Sequence, residues 1–162
     1  MSSFHAVAIP TEVADSVRST MKSPRYGFPA HREVAAGRAP CRHCLELVRL
    51  KEEEAILFTM DAFHALPTGE TVPPSPGPVY IHAEECARYG SRETSSGIPD
   101  TYRGRLLTLE AFGADRKLIA EVRASNSQEE KLAEELFANS EVKYVQVRST
   151  EAGCFLFRLE RN

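Results

Sequence analysis

The chain has 162 residues, 42% hydrophobic and 27% charged, the composition of one ordinary globular domain and not of a disordered chain. Twenty Lys and Arg against 23 Asp and Glu leave a net charge of -3, without the basic excess that displaces counterions from phosphates, so no nucleic-acid partner is expected. No apolar run approaches the roughly 18 residues that cross a bilayer, and no basic residue precedes the short apolar run at the start, so neither a membrane partner nor a secretory signal is expected and the chain is assigned to the cytoplasm.

Phe4 to Ile9 reads as a first strand. Thr11 then caps a helix with Val13, Val17 and Met21 along one face, and Ser23-Pro24 ends it. Residues 24–40 hold three prolines and two glycines and read as a loop. Ala55 to Met60 is a buried strand, Leu66 to Pro78 a Pro-rich loop, and Val79 to His82 another short strand. Gly90 to Gly104 is a second long, polar loop, and such loops often frame a cleft. Leu107, Leu109 and Ala111 alternate with polar residues, Gly113-Ala114-Asp115 turns the chain, and Leu118, Ala120 and Val122 alternate back as a hairpin. Ser127 with Glu130 forms a capping box ahead of a helix carrying Leu132, Ala133, Leu136 and Phe137. Tyr144 to Arg148 and Cys154 to Leu159 are the last strands; Phe155, Phe157 and Leu159 share one face of the final one, and Cys154, Leu156 and Arg158 the other. The sum is a single α+β domain over 1–162, with long loops near 64–78 and 90–104. It has a mostly antiparallel sheet of about six short strands with two or three packed helices.

Two cysteine-bearing segments carry the chemistry. Pro40-Cys41-Arg42-His43-Cys44 is a C-x2-C pair with a histidine inside it, and His82-Ala83-Glu84-Glu85-Cys86 is an H-x3-C pair after a strand. Cys41, Cys44, His82 and Cys86 supply three thiolates and one imidazole, the donor set that zinc takes tetrahedrally. The 37 residues between Cys44 and His82 make the spacing compatible with zinc, not diagnostic of it. A second reading takes Cys41 and Cys44 as a redox dithiol at the start of a helix over Leu45 to Glu54, although a Pro/Gly-containing loop precedes them. A third leaves all four cysteines inert, within a protein-interaction domain. Lys51-Glu52-Glu53-Glu54 reads as a solvated face, and His5, His31 and His64 receive no role. No P-loop, dinucleotide fingerprint or nucleophile elbow is present, so no nucleotide cofactor is expected.

Pro40-Cys41-Arg42 with Leu45, Gly77-Pro78-Val79-Tyr80, Arg105-Leu106-Leu107 with Ala111-Phe112, and Tyr144-Val145-Gln146-Val147-Arg148 running into Gly153-Cys154-Phe155 occur in a fixed order. Together they resemble the bacterial family known as domain of unknown function 1203, over roughly residues 25–160. The resemblance implies a stand-alone cytoplasmic domain with no established activity. It also implies that the positions shared with the family pattern are Cys41, Arg42, Arg105 and Cys154. Many relatives lack a cysteine at the position of Cys44 and equivalents of His82 and Cys86, and often carry histidines at the positions of Gln146 and Arg148. A further hypothesis follows, in which Cys41 is a catalytic thiolate beside Arg42, in a small-anion site with Arg105, Arg148 and Cys154.

Overall fold

The computed structural model describes residues 2–69, 73–91 and 96–162. In chain order the elements are β1 (Phe4–Val7), α1 (Thr11–Thr20), β2 (His31–Val34), β3 (Glu54–Asp61), α2 (Ala62–Ala65), β4 (Pro76–His82), β5 (Leu107–Phe112), β6 (Leu118–Ala124), α3 (Glu129–Ala138), β7 (Tyr144–Ser149) and β8 (Phe155–Arg161). Single 3-10 turns lie at Asp100–Tyr102 and Ala114–Arg116. The fold is α+β, as the pattern of hairpins and amphipathic segments predicts. Among the described residues, eight strands form two antiparallel sheets, one of five strands and one of three.

The described residues fall into two compact units: 2–7, 90–91 and 96–162 in the first, and 8–69 and 73–89 in the second. The first contains the five-stranded sheet, in the order β1-β8-β7-β5-β6. Period-two alternation puts Leu107, Leu109, Val145, Val147, Phe157 and Leu159 on one face, all buried, and Phe137 of α3 stacks on Phe4 of β1 with ring centroids 5.6 Å apart. β5 and β6 form the expected hairpin, with Leu109 opposite Val122 and a register irregularity at Ala111/Phe112. Left-handed Asp115 and Arg116 complete its turn.

Two expected caps are not made. Ser127 is left-handed, Gln128 stands at the N-cap of α3, and Glu130 instead accepts hydrogen bonds from Ser2 Oγ at 2.8 Å and Ile98 N–H at 2.9 Å. At α1, Pro10 occupies the cap and Thr11 is the first helical residue, with its hydroxyl 3.0 Å from His43 Nε2. In both places a tertiary partner outbids the local backbone for the side chain.

The second unit contains the three-stranded sheet β2-β3-β4, with α1 and α2. β3 is central, and its Ala55, Ile56, Phe58 and Met60 are buried. β4 is an edge strand, which is where Pro76 and Pro78 are tolerated. β2 falls inside the segment expected to be a loop. It is an exposed, polar edge strand (His31-Arg32-Glu33-Val34) with no buried face, and so leaves no hydrophobic alternation in the sequence. Of the two expected long loops, residues 70–72 and 92–95 lie outside the described residues. Among the described residues no helix is long and apolar enough to cross a membrane.

Candidate metal centre

The second unit builds its site from a tight knuckle docked on the edge of β4. Cys41 pairs with Tyr80 in a parallel bridge, and Arg42 N–H donates to the Tyr80 carbonyl at 3.0 Å. The chain then turns back on itself: Leu45 N–H reaches Cys41 O at 2.9 Å, Cys41 N–H reaches Glu46 O at 2.9 Å, and Leu45 takes a left-handed φ of 60°. This turn brings Cys41 and Cys44 to one side. No helix follows, so residues 45–53 carry no helix dipole to lower a thiol pKa, contrary to the helix expected there.

His82 is the last residue of β4, and Cys86 follows in an irregular segment. That segment is tied down by Tyr89 N–H to His43 O at 2.9 Å and by Arg88, which donates to the carbonyls of Ala8 and Ile9. The ligand atoms of Cys41, Cys44, His82 and Cys86 thereby lie within 4.8 Å of one another. Cys41 Sγ is 3.9 Å from Cys86 Sγ, and Cys44 Sγ is 3.4 Å from His82 Nδ1. A tetrahedral ion about 2.3 Å from sulfur and about 2.0 Å from imidazole nitrogen demands edges of about 3.8 Å between sulfurs and about 3.5 Å from sulfur to nitrogen. Both observed edges match. Cys41 is fully buried, while Cys44, His82 and Cys86 are half-buried.

A surrounding shell holds the four in place. His82 Nε2 faces Glu53 Oε2 at 3.4 Å, so a carboxylate orients the ring with Nδ1 toward the sulfurs. Glu53 is itself fixed by the backbone N–H of Arg49 at 2.9 Å and by the Arg49 guanidinium, which together lower its pKa to about 2. The sulfurs accept too: Cys41 Sγ from His82 N–H at 3.3 Å, and Cys86 Sγ from Arg18 Nη2 at 3.3 Å. His43 Nδ1 lies 3.3 Å from Cys86 Sγ, and buried His43 is steadied by Thr11 on its other nitrogen.

Without an ion, three sulfurs this close cannot all ionise. Hydrogen bonding from Cys41 and then Cys44, with both imidazoles, pulls the Cys86 thiol below its usual range. Its neighbours Cys41 and Cys86 push the Cys44 thiol up. Hydrogen bonds to Cys41 and Cys86 raise His82 to about 10. A cation bound among the four would have to displace the protons that the thiols and the imidazole still carry.

The other residues singled out in the sequence have different surroundings. Arg42 is buried and its Nη1 donates to Pro40 O. In the first unit, Arg105 Nε donates to Thr101 O at 2.6 Å, and Arg148 Nε pairs with the Glu110 carboxylate at 2.8 Å. Cys154 is half-buried in the turn before β8. Glu53, Arg18 and Thr11 were not legible as part of the site. The acidic run around Glu53 looks like any solvated face, and the other two stand outside every spacing motif.

The fold and this cluster define an α+β protein with a compact Cys3His centre. The chain belongs to the protein family of unknown function DUF1203, whose sequence profile matches residues 38–161. Among curated proteins and solved structures, none matches the chain.

Proposed function

We propose that the protein binds one zinc ion through Cys41, Cys44, His82 and Cys86, and that the ion serves as a structural staple. The observation that carries this reading is the spread of the four ligand atoms, all within 4.8 Å of one another, with edges of 3.9 and 3.4 Å. Three soft sulfurs and one imidazole select zinc over magnesium or calcium, which take oxygen ligands. The group is too compact for a two-metal cluster, whose ligands divide between separate ions. Four protein ligands fill a tetrahedron and leave no position for water or substrate, the arrangement of structural and not catalytic zinc.

Electrostatics support the same reading. Zinc with three thiolates and a neutral imidazole has a net charge of -1, and the Arg18 guanidinium beside Cys86 offsets it. The ion would clamp the 41–44 knuckle, the end of β4 and the Cys86 segment together. The test is metal analysis of untagged protein with thiol titration before and after chelation. The expected result is one zinc per chain, with Cys41, Cys44 and Cys86 masked until the chelator is added. Metal-free protein with four freely titrating thiols, refractory to added zinc, overturns the proposal.

A further inference from the structure

The five-stranded sheet of the first unit carries a second polar centre, on the face opposite Phe157 and Leu159. Gln146 of β7 and Arg158 of β8 are directly opposed across the strand pair, and Glu110 of β5 opposes Gln146 on its other side. Arg158 is 2% exposed and Gln146 0%. Arg158 reaches only part of its hydrogen-bonding capacity. Its guanidinium lies 4.4 Å above the Tyr144 ring, and its Nη1 is 3.7 Å from Glu160 Oε1. Among the described residues, its Nε and Nη2 have no hydrogen-bond partner, and neither does Gln146 Nε2.

A sheet does not gain stability by burying such donors bare, since each forfeits its hydration. Glu110, two strands away on β5, is engaged by Arg148. Nε and Nη2 are the two nitrogens on one edge of the guanidinium, whose parallel N–H bonds match the two oxygens of a carboxylate. The Gln146 amide adds a donor on the neighbouring strand.

From this we infer that Arg158 and Gln146 form a binding site for the carboxylate group of a small organic acid, with the Arg158 fork as bidentate anchor and Gln146 Nε2 as a further donor. The Tyr144 ring fixes the plane of the guanidinium, so the fork is preorganised. The site is independent of the Cys3His centre and involves none of its residues.

The test is a titration of the whole protein with sodium acetate, sodium phosphate or sodium chloride at matched ionic strength. The readouts are the Arg158 Nε–H resonance in nitrogen-15 spectra and the midpoint of thermal unfolding. Acetate is expected to move the resonance saturably and raise the midpoint, with chloride doing neither. Gln146→Leu should weaken acetate binding about tenfold, the worth of one hydrogen bond to a charged group. Arg158→Lys, which keeps the charge and loses the fork, should abolish saturation. Absence of a saturable acetate response in the wild type overturns the inference. So does binding of phosphate alone, or acetate binding by Arg158→Lys as tight as wild type. Should Arg158→Lys fail to fold, the wild-type and Gln146→Leu titrations decide.

Discussion

In the proposed zinc site Cys86 supplies the fourth ligand atom, its Sγ accepting from Arg18 Nη2 and lying 3.3 Å from His43 Nδ1. Cys86→Ser is expected to abolish stoichiometric zinc and to lower the thermal midpoint by roughly 10 °C or more, since metal-binding energy in such sites is folding energy. Differential scanning calorimetry with zinc added in excess measures this, and an unchanged midpoint would remove the staple. Glu53→Gln and Arg18→Met act one step out. Each should leave the zinc bound but weaken it by about 10–100-fold in competition with a chromophoric chelator, as expected when the groups that orient and neutralise a ligand set are lost. The four grouped side chains, Cys41, Cys44, His82 and Cys86, could be picked out in the sequence because C-x2-C and H-x3-C are local spacings. Glu53 and Arg18 could not, because they reach the site through strand pairing and helix placement that no spacing encodes. Arg158 was legible only as an alternating position of a strand; its burial depends on how both faces of the sheet are covered.

At the scale of elements, the strands with alternating or continuous apolar residues (β3, β5, β6, β7 and β8) were legible, and β2 was not, because an exposed polar edge strand has no buried face to imprint a period. The caps of α1 and α3 were misread for one reason: Thr11 and Glu130 have distant partners. α3 has another such tie. Glu134 accepts from both the backbone N–H and the hydroxyl of Ser3, which lowers its pKa below the ordinary 4.5. A depressed folded-state pKa contributes stability that is present above the unfolded value and lost as pH falls through the folded one. The stability difference between wild type and Glu134→Gln should therefore be largest above about pH 4.5 and shrink in more acidic solution, by a modest amount because the carboxylate is solvent-screened. Urea denaturation across that range checks the sign. Phe157 on β8 is fully buried and meets Tyr102 with ring centroids 4.9 Å apart. Phe157→Ala should cost about 3–5 kcal/mol in the same experiment.

For the molecule as a whole, the α+β class followed from hairpin signals and amphipathic segments. The partition of the strands into two sheets did not, since period-two patterns identify strands without naming their partners. The Cys3His centre belongs wholly to the unit with the three-stranded sheet, and the Arg158 site to the unit with the five-stranded one. Chelation should consequently destabilise the first-named sheet while leaving the other comparatively untouched. Amide hydrogen exchange resolves the two: protection should fall in β4 and the 41–44 knuckle, and persist in β5, β7 and β8.

The most direct test of the metal centre is X-ray absorption at the zinc edge of the purified protein. Three sulfur scatterers at about 2.3 Å and one nitrogen at about 2.0 Å are predicted for a Cys3His tetrahedron. A first shell of oxygen and nitrogen only, or of four sulfurs, would contradict it.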